Sequence, residues 1–305
     1  MLKEKTVSGI AVPMLTPFNE NGEVDLHSCK KIIDNFIEKN VHPFLLGTTG
    51  EGPSISNNER KKLIDYVGKN YAGKTKIYVS VGSNCVKENI ENAKIYSDLG
   101  ADFIVVLLPG YYQLTTNQIM KYFETLAENS PRPILLYNIP QTTHHSIPLD
   151  VVEKLSHHPN IVGLKDSERD IERFDKAIEM FKDRKDFSHM VGWGAKSFYS
   201  LSKGSDGLVP STGNFAPGMF KEMYDSVRRG DLKNAERLQL ETDELAKVYQ
   251  KDRTLGQSLA AAKIIMKFFD LCEPHMLFPL TRLTDEEEKI IIKNIEQLKE
   301  RIRIY

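Results

Sequence analysis

Eight short apolar segments recur along the first two thirds of the chain, and a stretch with helical spacing separates each from the next. The segments are continuously apolar rather than alternating, which is typical of parallel strands buried on both faces. Eight strand–helix units that close on themselves form a (β/α)8 barrel, so the sequence predicts an α/β fold, a TIM barrel. The predicted strands lie near 8–14, 43–46, 77–82, 103–108, 133–138, 160–165, 188–192 and 207–210.

The last third of the chain is predicted to be helical and adds further helices to the barrel. In its last helix, an apolar stripe at helical spacing predicts a buried face, formed by Ile291, Ile295, Leu298 and Ile302. We expect a catalytic barrel of residues 1–225 and a C-terminal helical extension of residues 226–305 packed on it. The predicted C-terminal helices lie near 216–228, 231–249, 255–269 and 285–302.

The charge balance excludes several classes of partner. The 305 residues include 41 basic and 42 acidic side chains, which argues against nucleic acid or an anionic membrane as a partner. No apolar run reaches the length of a membrane span, and residues 1–5 lack an apolar signal core, so we expect a cytoplasmic protein. The three widely spaced cysteines predict reduced thiols rather than a disulfide framework.

Polar residues follow the predicted strands repeatedly, at the end where TIM barrels carry their active sites. Each of these residues alone is unremarkable for a loop, but their convergence on one barrel mouth favours a catalytic site. They are Thr48 and Thr49 after the second strand, Tyr111 after the fourth, Tyr137 at the end of the fifth, Lys165 at the end of the sixth, and Ser211 and Thr212 after the eighth.

Lys165 is the most informative of these residues. Burial at a strand end disfavours the ammonium form, lowers the pKa of the amine and supplies the neutral nucleophile that forms a Schiff base. The alternative is a lysine whose charged end reaches the surface along an apolar stem. If Lys165 stood alone, the surface-reaching interpretation would be preferred. The polar residues at the other strand ends favour the nucleophile instead.

Four motifs, in this order and spacing, resemble the N-acetylneuraminate lyase / dihydrodipicolinate synthase family. They are Gly47-Thr48-Thr49-Gly50-Glu51, Tyr137-Asn138-Ile139-Pro140, Gly163-Leu164-Lys165-Asp166-Ser167 and Gly213-Asn214. The resemblance covers Val7 to Leu283. It implies a class I aldolase-type barrel whose lysine, here Lys165, forms an imine with pyruvate or another 2-oxo acid. The iminium itself is the electron sink, so no separate cofactor or metal is expected.

The resemblance also implies roles for the other matching residues. Tyr137 corresponds to the proton-transferring tyrosine, and an adjacent iminium would favour its phenolate. Thr48 links this tyrosine to Tyr111, which reaches into a neighbouring subunit's site, with Tyr112 as the alternative. Thr49 and the backbone N–H groups of its loop hold the substrate carboxylate. A homotetramer, a dimer of dimers, is therefore expected. Further substrate contacts are expected from Val209, Gly192, Ser167 and Ser211.

Departures from the family pattern bear on the substrate. Dihydrodipicolinate synthases carry an arginine where this chain has Thr142, and threonine cannot form a bidentate ion pair with a carboxylate. His144 stands where a glycine is usual. Sialic-acid lyases carry an acidic pair after the seventh strand, but this chain has Gly-Trp-Gly-Ala at 192–195. Thr142, Ser167 and Ser211 can instead hydrogen-bond substrate hydroxyls.

The leading hypothesis is a Schiff-base lyase or aldolase acting on pyruvate or a small 2-oxo acid of the 2-keto-3-deoxy sugar acid type. Two other enzymes are alternatives: 4-hydroxy-tetrahydrodipicolinate synthase, which condenses pyruvate with aspartate semialdehyde, and N-acetylneuraminate lyase. A regulatory barrel that binds a 2-oxo acid without turnover is the non-enzymatic alternative. The sequence leaves open the substrate, the stereochemistry and the direction of the reaction.

Overall fold

The computed structural model describes residues 5–304 and forms a closed barrel of eight parallel strands in sequence order. This confirms the predicted TIM barrel. The first strand pairs with both the second and the eighth, which closes the sheet. The strands are β1 (Gly9–Pro13), β2 (His42–Leu45), β3 (Tyr78–Val81), β4 (Phe103–Leu107), β5 (Ile134–Asn138), β6 (Ile161–Asp166), β7 (Ser188–Val191) and β8 (Gly207–Leu208).

The helices agree with the sequence pattern within a few residues, except for one. The four-residue helix α5 follows β5 directly and is too short to produce a periodic pattern. The helices are α1 (Leu26–Glu38), α2 (Asn57–Tyr71), α3 (Val86–Asp98), α4 (Thr116–Asn129), α5 (Pro140–Thr143), α6 (Leu149–Leu155), α7 (Ile171–Phe181), α8 (Ser197–Ser202), α9 (Pro217–Arg228), α10 (Leu232–Gln250), α11 (Leu255–Phe268) and α12 (Asp285–Lys299).

Side-chain caps fix where several helices begin. Asp25 accepts hydrogen bonds from the first-turn amides of α1, and Ser56 accepts one from Glu59 of α2. Thr254 and Thr284 each form a reciprocal capping box at the start of α11 and α12. These caps satisfy backbone donors that a helix leaves unpaired at its N-terminus.

Large side chains fill the interior of the barrel. Phe44, Tyr78, Phe103, Leu135 and Met190 belong to one buried cluster, and the Tyr78 and Phe103 rings stack with centroids 4.8 Å apart. The interior is therefore a packed core rather than a channel. Reactive groups are confined to the mouth, where the strands end.

The pairing of β5 with β6 contains an irregularity. Ile134 pairs with Ile161, but Leu135 pairs with Gly163, so Val162 is an extra residue in β6. This bulge precedes the pairing of Tyr137 with Lys165 at the mouth.

Helices α10, α11 and α12 form the C-terminal end of the described chain and pack against one another, with α10 also against α9. Three residues of the predicted apolar face, Ile291, Ile295 and Leu298, are buried on α12. The helix ends at Lys299 rather than at the predicted residue 302, and Ile302 is buried just beyond it. The division at residue 225 stays a prediction, and this position lies within α9. No helix in the part of the chain described here is long and apolar enough to cross a membrane.

Closure of the barrel depends on a close approach between β8 and β1. A Cβ atom at Gly207 would lie 2.2 Å from the carbonyl oxygen of Gly9 and 2.7 Å from the Met190 sulfur. We predict that Gly207→Ala lowers the free energy of unfolding by about 1–3 kcal/mol, because the backbone must shift to relieve this overlap. Gly194→Ala is the control, since its Cβ would meet no atom within 4 Å. Urea denaturation of both variants measures the difference, and equal stability would contradict the prediction.

Candidate active site

The Lys165 amine lies inside the mouth of the barrel between two aromatic rings. Its side chain is only 4% exposed, and Nζ lies 3.6 Å from the centroid of the Tyr137 ring and 4.4 Å from that of Phe44. Tyr137 and Lys165 are register partners on adjacent parallel strands, so both side chains project to the same face. The barrel thus places the predicted nucleophile against the predicted proton-transfer residue.

Burial lowers the pKa of Lys165 well below its ordinary value of 10.5. The flanking aromatic faces attract an ammonium ion and oppose this shift, but loss of hydration outweighs them. Within residues 5–304, no carboxylate forms an ion pair with this amine. The site therefore favours a neutral amine, the form that attacks a carbonyl carbon.

The nearest carboxylate along the chain is directed away from the amine. Asp166 follows Lys165 in β6, so its side chain projects to the opposite face of the strand. There it is fully buried, accepts a hydrogen bond from Arg173 Nε at 2.7 Å and another from Asn138 Nδ2 at 2.8 Å. This arrangement neutralises Asp166 outside the barrel and leaves Lys165 without a counter-charge inside.

Tyr137 is a neutral phenol in the ligand-free protein. Burial raises its pKa to about 12, although hydrogen bonding with Thr48 and Ser167 acts in the opposite direction. The expected preference for phenolate concerns the state in which a cationic iminium has formed beside it. In the free site, Tyr137 is a proton donor supported by two hydroxyl groups.

The loop of residues 47–52, which follows β2, is a compact turn with backbone donors to spare. The N–H groups of Gly50 and Gly52 both donate to the carbonyl oxygen of Gly47. Those of Thr48 and Thr49 donate to no protein acceptor among the described residues. Unpaired amides at the barrel mouth suit an anionic group such as a carboxylate.

Position 52 has no room for a side chain. A Cβ atom there would lie 1.9 Å from the carbonyl oxygen of Leu46. The Thr16 hydroxyl, fully buried, donates to the carbonyl oxygen of Gly50 at 2.7 Å. Both contacts hold the 47–52 loop against the barrel.

Tyr111 and Tyr112 lie at the surface of the single chain. Tyr111 is 77% exposed, and its ring contacts that of Tyr112 edge-on at 4.9 Å. His145 Nε2 lies 2.8 Å from the carbonyl oxygen of Tyr112 and holds this loop against the one after β5. The choice between the two tyrosines for the predicted relay stays open.

A cleft of about 360 Å³ opens between the loops that follow β2, β3, β4 and β5. Thr48, Tyr111 and Thr142 all line it, whereas Lys165 and Tyr137 do not. The cleft therefore lies next to the Lys165 amine but does not contain it, and Thr48, which interacts with Tyr137, connects the two. Thr142 belongs to α5, and its hydroxyl lies 3.4 Å from the carbonyl oxygen of Ile139.

Ser167 and Gly192 are brought together at the ends of β6 and β7. A Cβ atom at position 192 would lie 2.0 Å from the Ser167 hydroxyl oxygen, so only glycine leaves this hydroxyl in place beside Tyr137. Val209 is buried in the barrel interior, and its N–H donates to the carbonyl oxygen of Val191 at 2.7 Å. Their predicted contacts with substrate stay predictions.

The Ser211 hydroxyl has a protein partner. It lies 2.8 Å from the hydroxyl oxygen of Tyr249 on α10, which also bonds to Thr212. Ser211 therefore anchors the loop after β8 to the C-terminal helices. If it also binds substrate, as predicted, its hydroxyl has to serve both Tyr249 and the substrate.

Several residues that shape the site were missed by the sequence analysis. Phe44 contacts the Lys165 amine, and three buried polar side chains of the C-terminal helices bond to the loops at the mouth. Gln239 bonds to Gly194 and Phe198 after β7, Tyr249 to the loop after β8, and Lys263 to Glu51 after β2. A polar residue within an apolar stretch was the available signal, as for Lys263 in Ala-Ala-Ala-Lys-Ile-Ile-Met.

No group of three or more histidine, cysteine, aspartate or glutamate residues in the described chain could hold a metal ion. The cysteines are free thiols, of which Cys29 and Cys272 are buried and Cys85 is exposed.

Comparison with known proteins gives concordant results. The model of the dihydrodipicolinate synthetase family matches residues 6–298. A DapA-like lyase of Pyrococcus abyssi, itself uncharacterised, is 31% identical over 86% of this chain and 89% of its own length. The crystal structure of dihydrodipicolinate synthase from Aquifex aeolicus superposes with a TM-score of 0.88 at 28% identity, covering 96% of this chain and 98% of that one.

A second solved structure is similar over the same extent. It is that of YagE, a prophage protein of Escherichia coli K12 assigned to the dihydrodipicolinic acid synthase family, in complex with pyruvate. The TM-score is 0.91 at 26% identity, and the match covers 96% of this chain and 99% of that one.

The lowered pKa of Lys165 predicts an unusual effect on stability. Between the lowered pKa and 10.5, the unfolded chain binds a proton at this lysine that the folded chain does not, so stability rises with pH in that range. We therefore expect Lys165→Met to be more stable than the native protein at neutral pH, with the margin narrowing as the pH approaches 10.5.

Urea denaturation at neutral and alkaline pH measures this margin. Lys87→Met is the control, because the Lys87 side chain is largely exposed and its removal leaves the pH dependence unchanged. A margin for Lys165→Met that does not depend on pH would contradict the prediction.

Proposed function

The chain belongs to the dihydrodipicolinate synthetase family, and on this premise we propose that it is a class I aldolase-type lyase acting on pyruvate or a small 2-oxo acid. The observation that carries the proposal is the buried Lys165 amine, 3.6 Å from the Tyr137 ring centroid and without a counter-charge. A related protein of Escherichia coli K12 was solved with pyruvate, which supports the substrate class.

The reaction begins when the neutral Lys165 amine attacks the keto carbon of the substrate. The resulting carbinolamine loses water to give an iminium, and Tyr137 donates the proton that the departing oxygen requires. The Tyr137 phenolate left by this transfer takes the proton of the substrate hydroxyl, the C–C bond beside that hydroxyl breaks with its electron pair passing to the iminium, and an aldehyde leaves. Protonation of the enamine and hydrolysis of the imine release the 2-oxo acid and regenerate the amine.

The 47–52 loop is the proposed carboxylate site. The unpaired N–H groups of Thr48 and Thr49, with the Thr49 hydroxyl, are suited to the 2-oxo carboxylate. The Thr48 hydroxyl interacts with the Tyr137 phenol and extends the proton path towards Tyr111. The same loop thus serves binding and proton transfer.

The proposed substrates are 2-keto-3-deoxy sugar acids and similar hydroxylated compounds. Thr142 lines the cleft where an arginine would be needed to bind a second carboxylate, and the loop at 192–195 carries no acidic side chain. Ser167, beside Gly192, is the proposed hydroxyl contact nearest to the amine. Ser211 and Val209 complete the proposed pocket.

The proposal includes the assembly and the location of the protein. A homotetramer, built as a dimer of dimers, would bury the exposed Tyr111 ring against a second chain and complete the relay through Tyr137 and Thr48. The catalytic unit would be the barrel of residues 1–225, with residues 226–305 as its helical extension. We propose a cytoplasmic location, consistent with the balanced charge.

Borohydride trapping tests the central claim. Incubation with pyruvate and borohydride should add one reduced pyruvyl group at Lys165, because reduction fixes the imine as a secondary amine. Peptide mass spectrometry locates the adduct, and Lys165→Ala is the control that should remain unmodified. A native protein that gains no mass at Lys165 would rule out the Schiff-base mechanism.

Pyruvate release identifies the substrate class. We expect release from at least one member of a panel of 2-keto-3-deoxy sugar acids, and no condensation of pyruvate with aspartate semialdehyde. Condensation at a comparable rate would favour the synthase alternative instead.

Tyr137→Phe tests the role of the phenol in proton transfer. Removal of the phenol oxygen should lower kcat by about 10²–10⁴-fold, the usual contribution of a positioned acid or base. The Lys165 adduct with pyruvate should still form at high concentration, since the amine is neutral before substrate binds. A variant with native kcat would remove Tyr137 from the mechanism.

A further inference from the structure

A buried ion pair joins the proposed carboxylate loop to the C-terminal helices. Lys263 lies on α11, and its Nζ is 2.5 Å from Oε1 of Glu51 in the 47–52 loop. Both side chains are fully buried, although the two residues are 212 positions apart in the chain.

Each member of the pair also forms a hydrogen bond with the backbone. Glu51 Oε2 accepts a hydrogen bond from the N–H of Leu277 at 3.0 Å, and Lys263 Nζ donates to the carbonyl oxygen of His275 at 2.7 Å. The Lys263 ammonium also lies 4.2 Å from the centroid of the Phe18 ring. The pair therefore fastens the loop both to α11 and to the segment that leads to α12.

The backbone at Glu51 indicates that this side chain determines the shape of the loop. Glu51 has a φ of +56°, a left-handed conformation that is uncommon for a residue with a side chain. Its neighbours leave no room for adjustment, because a Cβ at Gly50 would lie 2.7 Å from the Met14 carbonyl oxygen and one at Gly52 would overlap Leu46. Such a conformation persists only where the surroundings impose it.

Stability alone does not account for a buried ion pair at this position. The loss of hydration by two buried charges largely offsets their attraction, and apolar replacements are often as stable. What the pair does supply is a fixed geometry between the loop and α11. The two unpaired N–H groups of Thr48 and Thr49 lie three and two residues, respectively, from Glu51 within this fixed turn.

We propose that Glu51 and Lys263 are positioning residues that hold the Thr48 and Thr49 amides in place to receive the carboxylate of a 2-oxo acid. Neither side chain touches the reacting carbon. The inference rests on the proposed function, because it assigns these amides to a substrate carboxylate. It predicts a selective effect: loss of the pair weakens ligands that carry a carboxylate and spares ligands that lack one.

The test compares two ketones in borohydride trapping at Lys165. Pyruvate carries the carboxylate, and hydroxyacetone is a small ketone without it. In the double variant Glu51→Gln/Lys263→Met, which removes both charges together, the half-saturating concentration of pyruvate should rise about ten-fold, the effect of weakening one hydrogen bond to a charged group. Trapping with hydroxyacetone should match that of the native protein.

A second ion pair provides the matched control. Lys5 and Asp206 are nearly buried and 2.8 Å apart, and they join the N-terminal segment to the residue before β8, far from the mouth. The double variant Lys5→Met/Asp206→Asn also removes a buried pair. It should leave the ratio of pyruvate to hydroxyacetone trapping unchanged, whatever its effect on stability.

Glu51→Asp keeps the test decisive if the first double variant does not fold. It retains both charges but shortens the side chain by one methylene, so it should draw the loop away from its position and again weaken pyruvate selectively. Equal weakening of both ketones, or native affinity for pyruvate in either folded variant, would overturn the inference. A native protein that forms no pyruvate adduct would overturn the proposed function as well.

Discussion

The chemistry of this site depends on an amine that has been deprived of both water and a counter-ion. Lys165 is buried between the Tyr137 and Phe44 rings, and the carboxylate next to it in sequence projects out of the barrel to Arg173. The strand geometry produces this separation, since successive residues face opposite sides. Had the carboxylate faced inwards, an ammonium–carboxylate pair would have raised the pKa of the amine and suppressed its nucleophilicity.

The C-terminal helices are more than an outer layer on the barrel. Gln239 and Tyr249 on α10 and Lys263 on α11 bond to the loops that follow β7, β8 and β2. Each contact comes from a buried polar group with its partner in place, which is the condition under which such groups favour one defined arrangement. Three of the loops at the mouth are thus held in position by side chains of the C-terminal helices.

Sequence reasoning could reach the barrel because the signal is repeated eight times and each unit supports the next. It could place Lys165, Tyr137 and the threonine loop at one mouth for the same reason, since strand ends in a closed barrel share one rim. It could not find Phe44, because an aromatic residue in a strand has no distinctive local pattern, and the apolar stretch around Lys263 marks a buried lysine without naming its partner. Their roles arise from contacts between distant segments.

The α5 turn and the exposure of Tyr111 were also beyond the reach of periodicity. Four residues make a single helical turn, which has no repeat to detect. Tyr111 is distinguished only by its surroundings, because a tyrosine that faces solvent in one chain and a tyrosine that packs inside it look identical in sequence.

The bulge in β6 has a consequence for how such a site can arise. If Val162 did not bulge out but paired with Leu135, Tyr137 would pair with Leu164, and Asn138 would pair with Lys165. The period of two along a strand would then turn the amine towards the helices and leave an aliphatic side chain at the mouth. One unpaired residue, three positions before Lys165, therefore decides whether the barrel presents a nucleophile or an inert hydrocarbon at its mouth.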